Sequence, residues 1–313
     1  MTIRYGTHVA VSDVDAELPS GCVGLLGRNG AGKTSILKAL LGLVRPSSGE
    51  LTIAGVPRGA HGTELRRHVG YMPERDCLVP GLNGYETVRH AAELTGLPAR
   101  IAARRAHEVL WYVELGEQRY RPVAGYSAGM RQKVKLAVAL VHDPAILFLD
   151  EPTNGLDPDG RRDLLALIAS LAREFVKTVV LSTHILPDVD RVCSDVVVLE
   201  RGRVVAAGPL AELTRGIARR FRLTVDAQRA AVRNALLVEG ASEVLELQDD
   251  ALRVTLPEGV PVAVLFRAAA GAGVAVHALV EERRSLAEIF LGAVDSAATA
   301  SDGLDAAAGG ASA

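Results

Sequence analysis

No run of this 313-residue chain is long and apolar enough to cross a bilayer. The longest segment free of Asp, Glu, Lys and Arg is Ala268–Val280, whereas a spanning helix needs about 20 apolar residues. No sign of charge dominates either. Lys and Arg number 35 against 37 Asp and Glu, a formal net charge of -2, so no global basic field draws the chain to nucleic acid. Cysteine is scarce, and Cys22, Cys77 and Cys193 are far apart in sequence with no CxxC pair. That pattern indicates neither a disulfide framework nor a zinc site. The opening Met1-Thr-Ile-Arg-Tyr5 has no charged-then-apolar signal region. The expectation is a soluble, intracellular chain. What is present is the ordinary mix of a folded protein, 49% hydrophobic and 23% charged, with a length that suggests about two domains of roughly 150 residues.

The first two thirds alternate apolar strand-like runs with amphipathic helices. Cys22–Leu26, Leu51–Ile53, Ala145–Leu149, Thr178–Leu181 and Val196–Leu199 read as strands, and Lys33–Leu43 and Arg161–Phe175 as helices. Such alternation predicts an α/β fold with a mostly parallel sheet covered by helices. Gly84–Glu117 reads as helical throughout and predicts an inserted helical subdomain, about residues 75–125. Past about residue 218, strands at Phe221–Val225, Glu243–Leu247, Leu252–Leu256 and Val274–Val280 alternate with helices at Asp226–Val238 and Val260–Ala270. This β-α-β-β-α-β order predicts a small split βαβ-like α+β domain over 218–294. The Ala/Gly/Ser-rich stretch 295–313 is expected to be a disordered tail. The first region has no internal repeat.

Gly27-Arg28-Asn29-Gly30-Ala31-Gly32-Lys33-Thr34, followed by Ser35, has the spacing of a phosphate-binding loop. Glycines let successive N–H groups face an anion, and the following helix offers its positive N-terminus. Lys33 can reach β- and γ-phosphates, and the Thr34 hydroxyl can ligate Mg²⁺. By itself the segment also fits a glycine-rich turn with an exposed lysine. Here it follows an apolar strand and opens an apolar-periodic helix, the context the motif requires. Ile146-Leu-Phe-Leu-Asp150-Glu151 ends a buried strand in two carboxylates. Asp150 would stand beside the metal and Glu151 nearer the γ-phosphate and water, although a capped strand end would read the same way.

Tyr126-Ser127-Ala128-Gly129-Met130-Arg-Gln132, Asn154-Gly-Leu-Asp157 and Ser182-Thr-His184 complete an ordered set. With these motifs in this order, residues 1–217 resemble the ATP-binding subunits of ABC transporters, nearest to the subfamily that energises separate ABC-2-type exporter permeases. Phe221–Val294 is similar to the C-terminal domain of many such subunits, including the closing Ser285-Leu-Ala-Glu-Ile-Phe290. The resemblance implies a P-loop NTPase fold, ATP and Mg²⁺ as ligands, an ATP-bound homodimer, a permease on a separate chain and a place at the cytoplasmic face of the membrane.

Residue by residue, it implies that Glu151 is the catalytic carboxylate and that His184 contacts the γ-phosphate. Ser127 and Gly129 would bind the γ-phosphate held by a second copy, and Asp157 would belong to the nucleotide site. Tyr5 falls where the family stacks an aromatic ring on adenine, though it also fits an exposed strand tyrosine. A serine in the place of Ser127 is also an ordinary helix cap. Tyr71-Met-Pro-Glu74 stands where the family has Tyr-x-Pro-Gln, so Glu74 is the third expected metal residue and brings a negative charge glutamine lacks. Ala128 and Met130 replace a glycine and a glutamine of the signature. The permease-facing surface is expected near Cys77–Glu86 and Arg119–Ala124.

A non-transport ABC ATPase acting on nucleic acid or the ribosome is the rival reading. It is disfavoured because the chain has one cassette and no long coiled coil. A catalytically dead subunit is disfavoured by the presence of both Lys33 and Glu151. The remaining histidines show no metal-ligand spacing, and Arg100–Arg105 reads as a solvated helix face.

Overall fold

The computed structural model describes residues 1–53, 56–57, 67–214, 219–226, 228–248, 251–282 and 287–288. They divide into two compact units, one up to Leu210 and one from Ala211 onward.

In the first unit, a hairpin of β1 (Ile3–Tyr5) and β2 (His8–Val11) precedes β3 (Cys22–Gly27) and α1 (Lys33–Leu40). A short antiparallel pair, β4 (Thr52–Ile53) and β5 (Val56–Pro57), leads to β6 (Val69–Met72). Helices α2 (Gly84–Leu94), α3 (Ala99–Tyr112) and α4 (Ala128–Leu140) come next. Then follow β7 (Ile146–Asp150), α5 (Pro158–Arg173), β8 (Thr178–Thr183), α6 (Leu186–Val192), β9 (Asp195–Glu200) and β10 (Arg203–Pro209). The main sheet runs β10-β9-β3-β8-β7-β6. All neighbours are parallel except β10, which pairs antiparallel with β9 at one edge.

The central strands read as unbroken apolar runs because both faces of the sheet are covered. Side chains of successive strand residues point to opposite faces, and the two cores sort accordingly. Leu147, Leu149, Val179 and Leu181 enter one core with residues of α2 to α5. Val23, Leu25, Phe148, Val180 and Val197 enter the other, against Ile36 and Leu37 of α1 and Ile3 and Val11 of the hairpin. Phe148 is among the largest fully buried side chains; truncating it to alanine would cost about 3–5 kcal/mol.

Three sequence expectations shift. The helical stretch Gly84–Glu117 breaks into α2 and α3, because Gly96 takes φ 92° after α2 and Pro98 caps α3. Helix α5 begins at Pro158 rather than Arg161, since the Asp157 side chain accepts the Gly160 N–H at 2.7 Å and Pro158 is preset for the first turn. Strands β6 and β10 and the second strand of the N-terminal hairpin, β2, escaped the pattern reading. In β6, Gly70 lies so close to α4 that a Cβ would come within 2.2 Å of the Ala139 carbonyl oxygen. The three cysteines are free thiols, but folding brings the Cys22 and Cys193 sulfurs to 3.3 Å.

The second unit is a four-stranded antiparallel sheet of β11 (Arg219–Val225), β12 (Glu243–Glu246), β13 (Ala251–Leu256) and β14 (Val276–Glu282), in the order β12-β13-β11-β14. Helices α7 (Arg229–Val238) and α8 (Ala263–Gly271) supply Val232, Leu236, Val264 and Leu265 to a core with Phe221, Leu223, Leu252 and Val254. The β-α-β-β-α-β order is that of a split βαβ fold. Part of the turn around Gln248-Asp-Asp250, most of Ser285–Phe290 and the tail from residue 295 lie outside the described residues.

Candidate functional site

The loop between β3 and α1 is built for an anion. Gly30 and Gly32 adopt φ 83° and 103°, a region that L side chains avoid. At Gly32 a Cβ would also meet the Ala10 carbonyl oxygen at 2.8 Å. Helix α1 starts at Gly32 with no side-chain cap and no acidic residue in its first turn, so its positive end is free for a negatively charged group. Arg28, Asn29 and Gly30 are exposed, Ala31 and Lys33 buried.

Lys33 is 6% exposed. Its ammonium donates to the Gly27 carbonyl at 2.6 Å and stands 3.3 Å from Glu151 Oε1. The other Glu151 oxygen, Oε2, lies 2.9 Å from His184 Nδ1 and accepts from the Thr183 hydroxyl at 3.4 Å. Glu151 holds this place in a left-handed backbone conformation, φ 47°, unusual outside glycine. Its N–H donates to the Ser182 carbonyl at 2.8 Å, which pins the turn after β7 to β8. Oε1 makes the ion pair with Lys33 but accepts no hydrogen bond among the described residues.

Asp150 ends β7 next to this group. The Thr34 hydroxyl donates to its Oδ2 at 3.1 Å and the Ser182 hydroxyl to its Oδ1 at 2.9 Å. Burial pushes the Asp150 carboxyl up from its usual range, against the lowering effect of those two bonds, and Glu151 and Glu74 add to the rise. Tyr71, half-buried and beside Asp150, is pushed up to about 12 by burial and by that carboxylate. Thr34 and Asp150 are hard oxygen donors, and a buried carboxylate with a raised pKa is one that a divalent cation would stabilise. Among the described residues there is no group of three or more His, Cys, Asp or Glu side chains set to hold a metal. The pair therefore fits Mg²⁺, which keeps waters and takes phosphate oxygens rather than a full protein cage.

The signature segment forms the start of α4. The Ser127 side chain caps the helix by accepting the Met130 N–H at 3.3 Å. Gly129 follows, where an added Cβ would meet nothing closer than 4.0 Å. Gln132 donates from Nε2 to the Asn154 carbonyl at 3.3 Å, which ties α4 to the turn after Glu151. Asp157 caps α5 and is exposed, and Tyr5 is 43% exposed on β1.

An ABC transporter family profile matches residues 11–154. A Nod factor export ATP-binding protein I of Cupriavidus metallidurans is 39% identical over 210 residues, 67% of this chain and 69% of that protein. The chain belongs to the ABC transporter family. An uncharacterized ABC transporter ATP-binding protein of Bacillus subtilis is 38% identical with the same coverage. Across the first three relatives, the matched segment spans 56% to 69% of their length. Among solved structures, an ATP-binding subunit of an ABC transporter matches with a TM-score of 0.61 and 32% identity, covering 68% of this chain and 89% of that one. A dimeric ATP-binding cassette in a post-hydrolysis state with ADP and phosphate matches with a TM-score of 0.60 and 26% identity, covering 67% and 95%. The first unit is thus an ABC ATPase cassette, the ATP-binding subunit that energises transport. Among the described residues no helix is long and apolar enough to cross a membrane.

Of the site residues read from sequence, Lys33, Thr34, Asp150, Glu151 and His184 converge in the cassette through direct contacts. Ser127 makes its bonds within its own helix. Sequence reasoning passed over Ser182, Thr183, Tyr71 and Lys135. Ser182 and Thr183 lay in the Ser-Thr-His segment that drew notice only for its histidine.

Proposed function

We propose that two copies of this cassette pair head to tail and drive a separate exporter-type permease from the cytoplasmic face of the membrane. The observation that carries the chemical part is the Glu151 carboxylate held between Lys33 and His184. In this reading Lys33 and the N–H groups of Gly27–Ser35 hold the ATP phosphates. Glu151 accepts a proton from the attacking water through Oε1, while His184 holds Oε2 and faces the γ-phosphate. Thr34, Asp150 and Glu74 would hold Mg²⁺, which when bound neutralises charge on the phosphates. Tyr5 would stack on adenine, and Asp157 would complete the nucleotide site.

Gly129 supports the paired arrangement. A glycine inside a helix costs about 0.5–1 kcal/mol relative to alanine, and among the described residues nothing comes closer than 4.0 Å to a Cβ placed there. Close approach of a phosphate bound by the second copy supplies the reason, with Ser127 and the N–H groups of α4 as its ligands. The names of relatives dedicated to Nod factor export support the exporter-type partner. Residues 1–217 would be the working cassette, with its helical subdomain at about 75–125. Residues 218–294 would be an accessory domain and 295–313 a tail.

Affinity purification of the chain from detergent-solubilised membranes tests the partner. Recovery of an integral-membrane protein is expected. Recovery of ribosomes or nucleic acid in its place would reject the permease reading.

A further inference from the structure

Only two lysines are buried among the described residues, Lys33 and Lys135. Lys33 has its role in the phosphate site. Lys135, 3% exposed, sits on α4 about two turns beyond Ser127. A buried ammonium is costly unless it is bonded and balanced by negative charge. Its Nζ donates to the Glu74 carbonyl at 2.8 Å, across 61 residues of sequence. The ionisable groups facing it are Cys77, Asp76, Glu74 and Asp150.

Two constraints therefore meet at one atom. The backbone at Glu74 follows β6 without a helix or strand to hold it, and Lys135 fastens it to α4. That helix is itself packed hard on β6, as the close approach of Gly70 to Ala139 requires. The same buried ammonium faces the three carboxylates of Asp76, Glu74 and Asp150. A glutamine at position 74 would bring no such charge.

We infer that Lys135 is the positioning residue for Glu74, clamping its backbone to the helix that begins at Ser127 and balancing the charge that sets this chain apart from a glutamine-bearing cassette. This inference rests on the reading of Glu74 as a metal-side residue. It also gives α4 a direct mechanical hold on the metal side of the site. Displacement of that helix would move the Glu74 carbonyl with it.

The test compares the wild type, Lys135→Met, Glu74→Gln and the double variant in the full chain. One readout is amide hydrogen exchange over Glu74–Cys77 without nucleotide, and the other is steady-state ATP hydrolysis with Mg²⁺. Lys135→Met keeps the apolar stem, and exchange over this loop should rise at least about fivefold. Its kcat should fall about tenfold, the usual effect of losing a supporting partner, with KM for ATP little changed. Adding Glu74→Gln should recover most of the lost kcat while exchange stays fast, because the charge is rebalanced but the clamp is still missing. Wild-type exchange in Lys135→Met overturns the clamp, and a double variant no better than Lys135→Met overturns the charge balance. Fast exchange with an unchanged kcat upholds the clamp and removes Glu74 from the metal site, so the two readings fail separately. Should Lys135→Met not fold, Lys135→Leu, which also removes both the donor and the charge, carries the same comparison.

Discussion

His184 Nδ1 lies 2.9 Å from Glu151 Oε2, while the opposite oxygen of that carboxylate faces the Lys33 ammonium at 3.3 Å. One side chain thus joins three segments distant in sequence: the start of α1, the end of β7 and the end of β8. The carboxylate is held on both sides and by its own strained backbone, so its oxygens are oriented before any substrate arrives. Preorganisation of this kind lowers a barrier because nothing has to reorient at the moment of reaction.

On the proposed mechanism, Glu151→Gln keeps the shape and removes the base. General-base catalysis is worth about 10²–10⁴-fold, so ATP turnover should drop by that factor. The variant should then collect as an ATP-bound dimer on size-exclusion chromatography. Turnover at the wild-type rate would show that another group activates the water.

If Lys33 holds the ATP phosphates as proposed, Lys33→Ala removes a charge-assisted contact worth about 1.5–3 kcal/mol. ATP affinity should weaken at least roughly tenfold, measured by titration calorimetry. No ATP-dependent dimer should form. Unchanged affinity would shift the phosphate-binding role to the backbone N–H groups alone.

Asp188 on α6 is 1% exposed and accepts from the Thr153 hydroxyl and from Arg161 Nε, both at 2.6 Å. It bonds the turn after Glu151 to α5 and α6. Asp188→Ala leaves a buried hydroxyl without an acceptor and a guanidinium without its anion. A loss of about 3 kcal/mol is expected, read as a lower urea midpoint.

His142 adds a pH dependence. Its Nε2 lies 3.1 Å from the Val69 carbonyl, and its buried Nδ1 has no hydrogen-bond partner among the described residues. Burial pulls its pKa below the ordinary histidine value, since a second ring proton would have no acceptor. With the folded pKa below the unfolded one, its contribution to stability is complete above about pH 6.5. It is lost as pH falls through the lowered folded value. The urea midpoint should therefore fall between pH 7.5 and 5.5 by less in His142→Gln than in the wild type. Equal falls would place the acid sensitivity elsewhere.

The second unit has its own apolar core, and the partners described for Glu151 and Asp150 (Lys33, Thr34, Ser182, Thr183 and His184) belong to the first unit. A chain truncated after Arg215 should still bind and hydrolyse ATP. A folded, ATP-binding truncation without turnover would show that the second unit takes part in the chemistry.

Local chemistry made much of this legible in advance. Glycines at fixed spacing before a lysine, a buried apolar strand ending in two carboxylates and a serine opening a helix each state a requirement that neighbouring residues satisfy. So the Lys33 loop, Asp150, Glu151 and Ser127 could be read from the chain itself, as could the two-unit α/β and α+β pattern. Contacts between distant segments could not. Nothing local marks Ser182 as a ligand of Asp150, or Lys135 as the donor to Glu74, because in sequence one is a serine within a strand and the other a lysine on a helix. Their partners lie 32 and 61 residues away, and only the parallel pairing of β7 with β8 and the packing of α4 on β6 bring them within bonding distance. The short strand β6 was missed for the same reason: its Gly70 answers to the backbone of α4, a neighbour that exists only after folding.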